Sequence, residues 1–398
     1  MSGGVAAKTL REEGYSSRLV LLGNEPGVPF GRPPLSKTYL RGEEDLSGWL
    51  VKPAQWFEKN DVELVRATAV SLDTRERRIE LHTGEIIPYG RLLIATGGRN
   101  RRLLIPGADL AGVHQLRTAG DCDAIKAVAQ KGGRALVVGM GFIGSEVAAS
   151  LRQMGLTVTA VLPGNAPFDS VLGPEMGELF AGIHRDAGVE LIAHDEVVRF
   201  EGTPRVEHAV TKRGRRLDCD FAIVAVGIEA NVDILQGTDV ALDNGVLVDA
   251  RCSTNVPDIF AAGDVANHLH PLFGRVRVEH YNNAEKQGAA AARSMLGAQD
   301  DYRYLHTFWS DQYEHKLEYV GHVRKWDQFV VRGSSAERRL IGFYLQAGSL
   351  RAAVGLNRGG DPELDEGGEM AKAGRLIGRG ARPAPAALAD EDQDLGLL

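Results

Sequence analysis

This sequence predicts an α/β chain with two parallel-sheet domains covered by helices, followed by a smaller α+β domain, on three observations. The first is ALVVGMGFIGSEVAASLRQMG (135–155), in which a short apolar run turns through Gly139, Gly141 and Gly144 directly into a helical pattern. That strand-turn-helix context is what a dinucleotide-binding fingerprint requires. The second is the N-terminal stretch MSGGVAAKTLREEG. Laid under FIGSEVAASLRQMG, it sets Gly3 under Gly144, Ala7 under Ala148 and Gly14 under Gly155. The third is a change of composition from Phe308 onward to short aromatic and β-branched runs, FWSDQY, LEYVGHV, FVVRG and LIGFYLQ, which read as strands.

Two dinucleotide folds imply two nucleotides, and the common pairing is a flavin with the nicotinamide that reduces it. The N-terminal copy starts inside its fingerprint, so the expected chain is one strand and two glycines short of a complete site. Only a residue without Cβ lets the backbone turn tightly against a pyrophosphate. The helix dipole by itself contributes about 0.3 to 2 kcal/mol.

Composition narrows the class. The 398 residues carry 43% apolar and 25% charged side chains, as globular chains of two or three domains do. A formal charge of -7 argues against a nucleic-acid coat, which needs clustered Lys and Arg. Neither a membrane-spanning run nor a secretory signal is evident, so a cytoplasmic, non-membrane protein is expected. Three cysteines, Cys122, Cys219 and Cys252, have neither redox-pair nor metal-knuckle spacing. No metal site is expected, and an internal disulfide cycle is excluded.

Along the chain, SRLVLLGNEP ends a strand where Asn24 or Glu25 could hold an adenosine ribose hydroxyl. GRPPLSKTYL (31–40) is a Pro-stiffened turn into a short helix, offering Arg32 and Lys37 as phosphate and ring contacts. Residues 62–95 alternate and suggest a small antiparallel sheet that ends at Thr96, Gly97 and Gly98, where small residues admit a cofactor. IPGADLAGVHQLRT (105–118) reads as a crossing between domains. VTAVL (158–162) closes the βαβ unit, but Leu162 stands where an acid would hold a ribose 2′-hydroxyl, which leaves NADH or NADPH open. KRGRR (212–216) is a solvated hairpin, and Gly263 and Asp264 follow an apolar strand at the carboxyl end of a sheet. The expected division is 1–107 and 233–300 as two segments of one domain, 108–232 as the inserted domain, 301–380 as the third, and 381–398 as a loose tail.

With RPPLSK, LLIATGG, GMGFIGSE, NVPDIFAAGD, VEHYNNAEKQG and FWSDQY in this order, the chain resembles the ferredoxin-reductase branch of the FAD-dependent pyridine nucleotide oxidoreductases. The resemblance implies two Rossmann-like dinucleotide-binding domains, for FAD and NAD(P)H, plus a C-terminal α+β interface domain. It implies that Gly3, Arg32, Val70, Thr96, Gly97, Arg101, Gly263 and Asp264 serve FAD, with Asp264 on the ribityl chain. Lys37 would lie at the isoalloxazine against Glu146, Glu279 and His280 near its pyrimidine end, and Trp309 by the nicotinamide. Gly139, Gly141 and Gly144 would take NADH or NADPH, with NADH favoured. Lys37, Glu146 and Trp309 would thus be the residues at the reacting centre. Gly31 departs from the polar residue usual before Arg32. The activity implied is electron transfer from NAD(P)H through FAD to a ferredoxin-type iron-sulfur protein, by a monomer or homodimer. Alternatives are an NAD(P)H oxidase, a quinone or small-acceptor reductase, a slow nicotinamide-sensing flavoprotein similar to apoptosis-inducing factor, or an inactive fragment.

Overall fold

The computed structural model describes residues 1–398 and divides into two compact units. One unit comprises residues 1–32, 46–99 and 229–306, and the other 33–45, 100–228 and 307–398. The expected boundaries divide the chain differently. In the structure the line between units falls inside RPPLSK, after Arg32, because the next segment is bound to the inserted domain: Ser150 donates to the Ser36 carbonyl, Tyr39 to Asp123, and the Cys122 thiol to the Leu35 carbonyl. The first unit contains the helices α1 (Ser2–Glu12) and α4 (Tyr281–Met295), and the second contains α2 (Phe142–Gln153) and α3 (Asp169–Asp186).

In the first unit, α1 and α4 pack closely because Gly288 presents no side chain to the backbone of Ser2, where a Cβ would come within 2.6 Å of a carbonyl oxygen. Ala6, Leu10, Ala292 and Met295 fill the contact with Phe260. Two of its sheets are parallel pairs, Leu19–Gly23 with Val62–Arg66 and Leu92–Ile94 with Ile259–Ala261, which are not hydrogen-bonded to one another. The antiparallel reading of 62–95 therefore holds only for its middle, Ala69–Asp73, Arg78–Leu81 and Ile86–Pro88. Alternation fixes which face of a strand is buried but leaves its partner undetermined.

The second unit holds a five-stranded parallel sheet in which Arg134–Val138 is central, flanked by Thr157–Val161 and Phe221–Val224. Its core is Leu136, Val138, Val161, Ile192 and Val224. KRGRR caps the hairpin between His208–Thr211 and Arg216–Asp218. The C-terminal sheet is antiparallel, with Thr307–Gln312, His315–Gly321, Ser349–Leu356, Arg339–Gln346 and Gln328–Ser334 in spatial order. Helix α3 belongs to the parallel domain by sequence, yet its Leu172, Met176, Phe180 and Ile183 share one core with Leu317, Tyr319, Leu340, Tyr344 and Val354 of this sheet. The parallel and antiparallel sheets are thereby fused into one unit.

The last eighteen residues correct the expectation of a loose tail. Pro385–Ala389 is helical, and Leu388 and Leu395 are buried. The buried Arg332 guanidinium donates to the carbonyls of Leu388, Asp390, Glu391 and Gln393 while pairing with Glu369 at 2.6 Å. An arginine fork replaces the apolar stripe that would have been visible in sequence. Replacing Arg332 by Ala leaves these carbonyls without their donor, while Glu369 keeps Arg358 at 2.7 Å, so we expect a loss of about 1 to 3 kcal/mol in denaturant unfolding. Limited proteolysis within residues 381–398 should be the first cleavage in that variant.

Candidate active site

Both dinucleotide helices begin without a side-chain cap, at Met1 for α1 and Gly141 for α2. The helix Ala119–Ala129, which carries no such motif, has a complete capping box from Thr118 and Asp121. Helix starts leave N–H groups without intrahelical partners; the helices at 54–59, 169–186 and 369–378 also begin without a side-chain cap, so a bare start does not by itself mark a ligand site. Around α2 the three glycines are distinct in role. Gly139 has φ of +95°, and a Cβ on it would press on the Ala225 carbonyl. A Cβ on Gly144 would collide with the Gly139 carbonyl oxygen, so this glycine lets helix and strand close up. Gly141 faces open space, with no atom within 4 Å of its ideal Cβ. That open backbone edge at a helix N-terminus can accept a pyrophosphate.

Glu146, one turn into α2, is buried and fully engaged. Its Oε2 accepts from Lys37 Nζ at 2.7 Å and from Ser36 Oγ at 2.5 Å, and its Oε1 accepts from Ser310 Oγ at 2.7 Å. Three separate stretches of chain thus meet on one carboxylate. Burying an ion pair costs several kcal/mol per charge unless the remaining lone pairs are satisfied, and the two serines do so here. Ser36 and Ser310 lie inside RPPLSK and FWSDQY, but nothing in those motifs marks either serine as a partner of Glu146.

Trp309 and Asp311 lie on the opposite face of the Thr307–Gln312 strand from Ser310. Trp309 is directly across from Glu318, and Asp311 from Lys316. Burial raises the Asp311 carboxyl above its usual range, opposed by Lys37 and Lys316 and reinforced by Glu146. Burial likewise pushes Glu318 up to about 7, although Lys316 sits 2.9 Å away. On the face carrying the tryptophan, burial thus works against the ionised form of both carboxyls.

In the first unit, Arg32 pairs with Glu25 at 2.7 Å and lies over the Phe30 ring, so Glu25 is turned toward a cation beside Asn24. Gly31 is explained by its neighbour: a Cβ there would come within 2.6 Å of the Tyr281 ring, which packs edge-on to Trp49. Thr96 and Gly97 are locked to Asn231, whose carbonyl accepts from Thr96 Oγ1 and whose N–H reaches the Gly97 carbonyl. Val70 is the bulged residue of its strand and half exposed. Gly263 has φ of +80°, and a Cβ on it would strike Ser2 Oγ, so the Gly263–Asp264 turn sits against the start of α1 beside Gly3. Gln287, buried and unremarked in sequence, holds this turn by accepting the Gly263 N–H at 2.8 Å. Arg277 binds the Asp264 carbonyl and pairs with Glu279 at 2.7 Å, next to His280 at the N-cap of α4. In the second unit Arg101 is exposed, with its N–H on the Gly227 carbonyl. Arg99, by contrast, is committed to Glu229 and Asp233.

Two glycine-shaped helix starts in one chain, one opposite a Gly-Asp turn and the other leading to a buried Lys-Glu pair, define a two-nucleotide oxidoreductase. Residues 1–288 match the family model described as pyridine nucleotide-disulphide oxidoreductase, and residues 307–398 match the reductase C-terminal domain. The chain belongs to the pyridine nucleotide-disulphide oxidoreductases. It is 37% identical over 83% of its length to rhodocoxin reductase of Rhodococcus erythropolis, covering 78% of that protein. It is 36% identical over 96% of its length to the ferredoxin--NAD(+) reductase component of the anthranilate 1,2-dioxygenase system of Burkholderia cepacia, covering 93% of it. Among solved structures it superposes with a TM-score of 0.93 on the ferredoxin reductase for the CYP199A2 system from Rhodopseudomonas palustris, at 33% identity over 99% of this chain and 96% of that one. The covalent putidaredoxin reductase-putidaredoxin complex gives the same TM-score of 0.93 at 29% identity, over 99% and 94%.

The family implies FAD and NAD(P)H, and the residues fit both. The Gly141 edge is open at the start of α2, where a pyrophosphate could lie, and Gly263 keeps the Gly263–Asp264 turn against the start of α1. The family's disulfide is not supplied by this chain. Cys122, Cys219 and Cys252 are unpaired, and burial pushes each thiol up to about 12.

Glu318 supplies a pH test. Its folded-state carboxyl titrates near 7 against an ordinary 4.5, so between those values the folded protein holds a proton that the unfolded chain has lost. Its contribution to stability falls as pH rises through that window. The stability of Glu318→Gln relative to the parent should therefore rise by about 1 to 3 kcal/mol between pH 5 and pH 8. Thermal melts of both proteins at the two pH values measure this difference.

Proposed function

We propose that this protein is an FAD-dependent reductase that takes hydride from NADH and passes electrons singly to a ferredoxin-type iron-sulfur protein. The observation that carries the reading is the buried Lys37–Glu146 pair, braced by Ser36 and Ser310 and placed one helical turn beyond the Gly141 phosphate edge. When bound, flavin supplies the two-electron to one-electron conversion that no side chain can perform. The chain's own groups bind, orient and exclude water. Gly3, Gly263, Asp264 and Arg32 would hold the FAD nucleotide and ribityl chain, with Asn24 or Glu25 on the adenosine ribose, Val70, Thr96, Gly97 and Arg101 along its path, and Glu279 and His280 near the pyrimidine end. Gly139, Gly141 and Gly144 would hold the nicotinamide dinucleotide, and Trp309 would offer its flat indole to the nicotinamide ring. Lys37 and Glu146 together would put a fixed, nearly neutral dipole beside the reacting atoms.

NADH is favoured over NADPH by the segment after the Thr157–Val161 strand. Residues 162–170 contain no Lys or Arg for a 2′-phosphate, whereas Asp169 holds a carboxylate there, bound to Asn165 at 2.8 Å. Leu162 is buried in the core and takes no part. The relatives named as ferredoxin--NAD(+) reductases support the same donor and acceptor. With three inert cysteines, electrons must leave the flavin for an external acceptor.

Two measurements test this. Steady-state turnover of the FAD-loaded protein with NADH should rise strongly when a ferredoxin is added over oxygen alone, and equal rates would favour an oxidase. Glu146→Ala should weaken nicotinamide binding and slow anaerobic flavin reduction on the order of 10- to 100-fold, the penalty for losing a positioned group. Unchanged stopped-flow reduction in that variant would remove Glu146 from the site.

A further inference from the structure

In the second unit, three loops from separate stretches of chain are tied together at the carboxyl end of the parallel sheet, where open α/β folds bind ligands. The first is the turn 162–165 after the Thr157–Val161 strand, beginning at the Leu162 that replaces the ribose acid. The second, 193–196, follows the neighbouring parallel strand Glu190–Ile192. Its His194 N–H donates to the Gly164 carbonyl at 3.1 Å and its Asp195 N–H to the Leu162 carbonyl at 3.2 Å. The third is the tip of the KRGRR hairpin, whose Lys212 N–H donates to the Glu196 carbonyl at 2.8 Å. The proposed reaction leaves this junction unused.

Asp195 is the residue that joins all three loops. It is 2% exposed, and its Oδ1 accepts from the Arg213 N–H at 3.2 Å and from the Glu196 N–H at 2.9 Å. Its backbone thus reaches the ribose turn and its carboxylate the hairpin. Two cations of the hairpin face the same loop, with Arg215 Nε 3.9 Å from Asp195 Oδ2 and Lys212 Nζ 3.7 Å from Glu196. The ribose turn is held again at Asn165, which donates to Asp169 at 2.8 Å. Without the Asp195 carboxylate, two N–H groups lose their acceptor and the hairpin keeps only its Lys212 N–H tie to the 193–196 loop.

We infer that Asp195 is a positioning residue for the adenosine half of NADH: it fixes the 162–165 turn and the KRGRR hairpin to one another before the ligand arrives. This rests on the dinucleotide site proposed around Gly139, Gly141 and Gly144. Loops ordered in advance lower the cost of binding. None of these contacts involves Lys37, Glu146 or Ser310, so the clamp acts on affinity and leaves the hydride step alone. An interaction made equally in the ground and transition states has that kinetic signature.

The FAD-loaded protein is titrated calorimetrically with ADP-ribose, which carries the adenosine half without the nicotinamide. Asp195→Ala should weaken its binding about tenfold, the size of one lost hydrogen bond to a charged group. Asp195→Asn keeps an acceptor for both N–H groups and should stay within about threefold of the parent. In anaerobic stopped-flow, Asp195→Ala should raise the half-saturating NADH concentration by the same factor at an unchanged limiting rate. With reduced nicotinamide mononucleotide, which has no adenosine, the variant and the parent should reduce at equal rates. Unchanged ADP-ribose affinity in Asp195→Ala, or an equal loss with the mononucleotide, overturns the inference. Hydrogen exchange on the parent serves if Asp195→Ala does not fold: ADP-ribose should slow exchange in 162–165, 193–196 and 211–215 together, and protection that spares the hairpin overturns it. A parent that binds ADP-ribose but whose flavin NADH does not reduce counts instead against the proposed reductase, with the titration still judging Asp195.

Discussion

The structure turns on one carboxylate that three distant segments must satisfy together. Glu146 comes from the dinucleotide helix α2, Ser36 and Lys37 from the Pro-stiffened turn, and Ser310 from the first strand of the C-terminal sheet. An isolated buried charge would cost far more than the few kcal/mol by which domains are stable. The parallel sheet, the 33–45 segment and the C-terminal sheet are therefore bound to one another partly by the requirement to keep this group paired. The shared core between α3 and the antiparallel strands gives the same association an apolar basis. In the role proposed for it, a centre assembled from several elements has a rigidity that a single loop could not provide.

The turns proposed to meet the nucleotides rest on glycines whose roles are local. Where the backbone must meet a ligand, Gly141 leaves it bare, and Gly139 and Gly144 allow the approach of strand and helix that makes the turn possible. The Gly263–Asp264 turn applies the same rule in the other unit, with Gln287 as its buried brace.

Much of this was legible in sequence because it is local. Glycine spacing announced α2, and the apolar run before Gly263 announced the Gly-Asp turn. The family resemblance brought Lys37 to Glu146, which no spacing within either segment could do. What escaped has a common cause. Strand partners in 62–95 depend on residues 19–23 and 259–261, and the alternation within a strand carries no information about them. The tail is held by Arg332, some sixty positions earlier, in place of an apolar period. Gln312 looks like an ordinary strand residue until the fold sets it behind Ser310, although the i, i+2 spacing of the two is a trace of their shared face.

The central claim is that this chain binds a flavin that NADH can reduce. The most direct measurement is the visible absorbance spectrum of the purified protein, recorded anaerobically before and after one equivalent of NADH. The account predicts the bands of bound oxidised flavin, bleached by NADH far faster than by NADPH. A protein that holds no flavin when supplied with FAD, or one whose flavin stays oxidised with NADH, would contradict it.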